Sequence, residues 1–430
     1  MRCKPSTCLL LVSLLALAGS GCNSPLSITG KKTPHEKYSL GLADAGLTQT
    51  ILGKTWISAA NASLLQPANI NLPYRETGFF PAETPSAAGY RFTAKRGERI
   101  TVNLETTPAR GFRLFLEFWE NNGSDPKILS YTDSLPAIIN EVIDREGFYT
   151  IRIQPELLQP VGYTVTISAG PSLAFPVRKN DNPRASSFWG AARDGGGRSH
   201  EGVDIFAKKG TDVLAITPGR VTSVSENQLG GKVVFMRPDG KDFSLYYAHL
   251  DSQLVSEGQR VKPGDVIGQM GNTGNARTTP AHLHFGIYTS EGATDPWPFI
   301  NATTPGPAKL TADTTLINQW SRTNASATLI RNNQPEVLES GTSVMVIAAT
   351  ADRYRVRLPD GREGYLISRV ITGKPMKTAI LKQSTVLQVA PVAGSAIISQ
   401  VNKGSSITIL STFMQYQYVQ TTGLKGWTVR

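Results

Sequence analysis

Residues 282–288 read HLHFGIY, a short alternating and aromatic-rich run of the kind that forms a β-strand. On a strand His282 and His284 project from one face, while Leu283 points the other way into a core. One of the two histidines can therefore bind a metal while its neighbour faces the same water or substrate. The spacing alone leaves open which does which.

Two segments upstream supply partners for this strand. HEGVD runs from His200 to Asp204. A helix would put its ends on one face, but Gly202 and the preceding Gly195–Gly197 argue against a helix. A fully extended chain would separate them by roughly 13 Å at about 3.3 Å per residue, too far for metal bonds near 2 Å. The chain must bend between them, and Gly202 permits the bend. YYAHLD, 246–251, then places His249 on a strand ahead of a turn at Asp251. Only His35 of the five histidines lies outside 200–284. A lone histidine is usually structural or on the surface, but four with a carboxylate at useful spacings point to a metal centre.

A His, Asp, His ligand set leaves a fourth zinc position open for water, the mark of a catalytic rather than a structural site. The three cysteines all fall within the first 22 residues, so a thiolate structural site is excluded from the rest of the chain. Zinc lowers the pKa of bound water from 15.7 to about 7 and polarises the carbonyl under attack. A neighbouring imidazole can take the proton or hold the developing oxyanion. Tyr246 and Tyr247 are candidates for lining a substrate groove. Asn272, Asn275 and Thr279, in the loop before His282, are candidates for binding substrate backbone. The GNTGNA run at 271–276 lacks the strand–loop–helix context of a nucleotide site and reads as a turn.

The segments 200–221 (HEGVDIFAKKGTDVLAITPGRV), 246–251, 261–288 (VKPGDVIGQMGNTGNARTTPAHLHFGIY) and 295–300 (DPWPFI) together resemble the lysostaphin-type, LytM-like zinc endopeptidases that cut peptidoglycan peptides. The resemblance covers about a hundred residues in the family's order. It implies one zinc ion held by His200, Asp204 and His284, with His249 and His282 as unligated catalytic histidines. It also implies a small antiparallel sheet with a narrow groove over the metal. Relatives that lose metal ligands and activate a separate wall amidase supply an alternative, which the complete ligand set here disfavours.

Around this centre, the composition and turn content lead to a mostly β protein of several domains. Residues 1–21 read as a signal peptide, with basic Arg2 and Lys4 before an apolar run, Leu9–Leu17, too short to span comfortably. Cleavage before Cys22 resembles bacterial lipoprotein processing, which implies lipidation at Cys22 and a membrane anchor. The protein is then expected to be exported and lipid-anchored to the cell envelope, on the outer membrane facing the periplasm, or else secreted. Residues 22–38 read as a linker.

Residues 39–172 carry short alternating segments of an antiparallel β-sandwich, and 90–105 with 145–167 resemble jelly-roll modules. The peptidase domain is expected over 173–306. The tail repeats itself, Gly341 matching Gly404, Tyr354 matching Tyr416 and Gly364-Tyr365 matching Gly426-Trp427. It resembles two small SH3-like β-barrels, 316–372 and 376–430. The net charge is +11, or 11 − 2 = +9 without residues 1–21. Such an excess suits carboxylate-rich wall polymer or anionic lipid, and no basic stripe marks nucleic acid as a partner.

Overall fold

The computed structural model describes residues 32–430 except 122, 124, 332 and 333. The signal segment 1–21, Cys22 and most of the linker lie outside the described residues. The chain is mostly β, and among the described residues no helix is long and apolar enough to cross a membrane.

The linker and the start of the sandwich need correction. Helices span Pro34–Asp44 and Ile51–Leu65. The first is specified locally: the Thr33 hydroxyl accepts from the Glu36 amide at 3.1 Å, and the Glu36 carboxylate accepts from the Thr33 amide at 2.7 Å. With Pro34 following the cap, this is a capping box. Both helices cover the outer face of strand Leu114–Glu120, which is why that strand is buried on both sides where an ordinary half-exposed strand would alternate.

Two sheets between residues 68 and 171 close on a shared core that includes Ile100, Val102, Leu104, Ile151, Val165 and Ile167. One of them continues into the tail, because strand Tyr74–Phe80 pairs with strand Ser343–Thr350 through Thr77–Ala349 and Gly78–Ala348. The tail's two repeats also share a core, with Tyr354, Tyr416 and Trp427 in one cluster. Gly341 and Gly404 occupy the same left-handed backbone state, each at φ +87°.

The central domain is a separate antiparallel sheet over its own core. Its spine runs in the order Arg184–Ser187, Val203–Phe206, His282–Thr289, Ser244–Gln253, Gly231–Pro238 and Gly219–Asn227. The register sets Asp204 opposite His284 and Phe206 opposite His282, while Ala248 pairs with His284 on its other side. Leu283, Phe285 and Ile287 are fully buried beneath this face.

Candidate metal centre

Cross-strand pairing brings Asp204 and His284 together on the exposed side of the sheet. His200 reaches them from the end of a small hairpin, strands Ala192–Arg193 and Arg198–Ser199. Its Nε2 lies 2.9 Å from His284 Nδ1 and 3.0 Å from Asp204 Oδ1, and the third side of the triangle is 3.1 Å. Donors bonded at about 2.0–2.2 Å to one ion would stand roughly 3.3 Å apart, so these three atoms fit a shared zinc. The His200 Nδ1–H donates to the Phe188 carbonyl at 3.0 Å, which leaves Nε2 free to ligate a metal.

The electrostatics suit a cation. Burial alone would raise the Asp204 carboxyl, but hydrogen bonds and charge from His200 and His284 hold it well below the usual carboxylate range. Its second oxygen takes Arg193 Nη2 at 2.5 Å, and the same nitrogen donates to Ser187 Oγ at 2.8 Å. Arg193 and Ser187 are functional-site residues that no spacing signal announced. The bend between His200 and Asp204 is present, and it sets their donor atoms 3.0 Å apart, but the glycine serves a further purpose. Gly202 is absent from the left-handed residues, and glycine is required there because a Cβ would lie 2.6 Å from His284 Cε1 and 2.6 Å from the Phe285 carbonyl.

His249 and His282 stand beside the triangle. Their ring centres are 4.9 Å apart, and His249 lies 5.9 Å from His284. Each donates Nδ1–H to a backbone carbonyl at 2.9 Å, His249 to Thr273 and His282 to Pro280. Both are thereby left with a basic Nε2. Burial, and then the neighbouring His282 and His284, push His249 down to about 4.

The substrate-binding candidates divide. Tyr247 is fully buried in the core against Phe285, because its register places it on the inner face of the sheet. It cannot line a groove. Tyr246, one position earlier, faces outward 5.9 Å from His284. It helps line an open cavity of about 980 Å³ with Phe235, Arg237, Asp242 and Tyr288. Asn272 turns its amide back to the Arg277 carbonyl at 3.3 Å, and the Thr279 hydroxyl donates to Ala276 O at 2.8 Å. Asn275 is exposed.

An antiparallel sheet offering a His–Asp–His donor triangle with two further histidines beside it has the donor set of a candidate metal centre. Residues 198–296 match peptidase family M23, so this part of the chain is similar to the LytM-type domains of that family. The chain is 38% identical over 141 residues to the L-Ala–D-Glu endopeptidase of Bacillus subtilis, covering 30% of this chain and 43% of that one. It is 34% identical over 142 residues to lysostaphin of Staphylococcus simulans, covering 32% and 28%. It is 36% identical over 96 residues to the murein hydrolase activator NlpD of Escherichia coli, covering 22% and 24%. The chain thus spans less than half the length of each of these relatives.

Proposed function

We propose that the protein is a zinc-dependent endopeptidase that hydrolyses peptide bonds in peptidoglycan stem peptides or cross-links. The donor triangle carries this reading: His200, Asp204 and His284 fit one ion and, as three donors, leave its fourth coordination position free, with two neutral imidazoles alongside. Zinc held there would supply a nucleophile near neutral pH and polarise the scissile carbonyl. His249 Nε2 is placed to accept the proton of the attacking water, and His282, once protonated on Nε2 as well as Nδ1, to hold the developing oxyanion. The cavity lined by Tyr246 and Tyr288, with Tyr246 5.9 Å from the His284 ring, offers the peptide an aromatic wall near the donors.

A second reading has one observation behind it, the likeness to the activator NlpD. In that case the domain would bind and switch on a wall amidase. We further propose that Cys22 anchors the mature chain by lipid to the envelope membrane, and that the SH3-like tail modules hold wall peptides, raising local substrate concentration.

Incubating the mature protein with peptidoglycan, with and without chelator, and analysing released muropeptides by mass spectrometry decides between enzyme and activator. Chelator-sensitive peptide cleavage is expected; its absence across several wall types overturns the enzyme. His284→Ala should lose zinc. His249→Ala should keep zinc and turn over at least about 100-fold more slowly, the scale of a lost general base.

A further inference from the structure

The loop Gly271–Ala276, which the sequence alone marks as a turn, closes over the strand that carries His249. That strand is irregular at this histidine. Against Gly231–Pro238 its register slips between Tyr247 and Leu250, so that Ala248 and His249 together oppose Val233. His249 itself sits at φ +62°, a left-handed state that costs a non-glycine residue on the order of 1–3 kcal/mol. Bulges of this kind re-aim a side chain, and they persist only where surrounding contacts hold them.

Thr273 supplies those contacts on three sides. Its hydroxyl accepts from the Lys232 amide at 3.0 Å and donates to the Leu250 carbonyl at 2.9 Å. Its own carbonyl accepts the His249 Nδ1–H at 2.9 Å. The remaining anchor is the His249 amide, which donates to Gly230 O at 2.7 Å. There is no slack in this packing. A Cβ on Gly231 would come within 2.2 Å of Thr273 Oγ1, and one on Gly274 within 2.3 Å of the Gly231 amide nitrogen. The two glycines, at φ +65° and +71°, let backbone lie directly on backbone.

We propose that Thr273 is the positioning residue for His249. Its hydroxyl ties the two strands across the bulge, and this places its carbonyl to keep the proton of His249 on Nδ1. Nε2 is then held as an acceptor facing the donor triangle. Threonine touches neither metal nor substrate in this role; it acts through the histidine. The kinetic part of the proposal rests on the endopeptidase reading, whereas the tautomer of His249 can be read without any substrate.

The test compares Thr273→Val, which keeps shape but loses both hydroxyl bonds, with Thr273→Ser, which keeps them. Histidine-labelled full-length mature protein, with the His249 signals assigned through His249→Ala, is examined by ¹⁵N NMR. Wild type and Thr273→Ser should show His249 protonated on Nδ1, and Thr273→Val a mixture of tautomers. Thr273→Val should also lose at least about tenfold in kcat with zinc content unchanged, and Thr273→Ser should stay within about threefold of wild type. An unchanged tautomer in Thr273→Val overturns the proposal. So does equal damage in both variants, or zinc loss in step with activity, since each makes the residue a general structural one. If wild type cleaves no wall peptide, the endopeptidase reading fails while the NMR comparison still decides the role of Thr273.

Discussion

Gly202 is the residue on which the geometry of the donor triangle turns. It lies in sequence between two of the proposed ligands, His200 and Asp204, but its restraint comes from the third, the His284 ring packed close to it. A methyl group would meet His284 Nε2 at 2.7 Å and the Phe285 carbonyl at 2.6 Å. The carbonyl belongs to a paired strand and cannot give, so the imidazole must move. Gly202→Ala is therefore expected to weaken zinc binding by about 10–100-fold, the range seen when a ligand's orientation is disturbed. Chelator competition measures this, and an unchanged affinity would show that the ring has room to adjust. The ligand types were legible from spacing, but nothing in HEGVD shows that its glycine serves His284.

At the scale of elements, the two N-terminal helices are the largest departure from the sequence reading, and His35 holds them down. Its ring stacks on Trp56 at 4.7 Å and meets Phe115 edge-on at 5.4 Å. Arg152 donates to Nδ1 at 3.1 Å, so Nε2–H donates to Gln154 Oε1 at 2.7 Å and the ring stays neutral. Burial, reinforced by Arg152, lowers its pKa from 6.5 to about 3. Between those values the unfolded chain takes up a proton that the folded chain refuses, so stability is full above pH 6.5 and falls on acidification. The slope is about 1.4 kcal/mol per pH unit. Going from pH 7 to 4.5 should cost about 2–3 kcal/mol at this site. Urea unfolding followed by tryptophan fluorescence should show a shallower pH dependence in His35→Leu than in wild type, and parallel curves would refute the assignment. The helix start was readable, since Thr33-Pro34-His35-Glu36 carries a capping box. Leu114–Phe118, expected as one of the alternating segments, is instead buried on both faces. What could not be read was that the capped helix and this strand answer each other.

For the whole molecule, the tail packs as a continuation of the N-terminal sheet, with a buried ion pair at the joint. Glu76 is fully buried and accepts Arg355 Nη2 at 2.8 Å, together with Tyr90 and Tyr74 hydroxyls at 2.6 Å each. Removing one member of such a pair strands the other charge, at a typical cost of about 3–5 kcal/mol. Here the tyrosine donors remain, so Arg355→Met is expected near the lower end, about 3 kcal/mol, in chemical denaturation. Truncation after residue 307 should destabilise the N-terminal sheets in the same way, and Glu76→Gln should recover part of that loss. Equal stability of the truncated protein with and without Glu76→Gln would mean that the joint is not coupled to stability. A truncated protein that binds wall poorly therefore cannot by itself identify the tail as the binding element.

The sequence by itself determined the donor types and their local frame. His, Asp and His at those spacings specify a zinc-type donor set, and the alternation in HLHFGIY puts two histidines on one strand face because strand geometry has a period of two. Tertiary structure alone decided everything that depends on contacts between distant segments. It placed Asp204 opposite His284, turned Tyr247 inward and Tyr246 outward, bent His249 over a bulge clamped by Thr273, and buried Glu76 against an arginine 279 positions away. Local preferences act over a few residues, whereas register, burial and charge pairing are settled only when segments far apart in sequence compete for the same space.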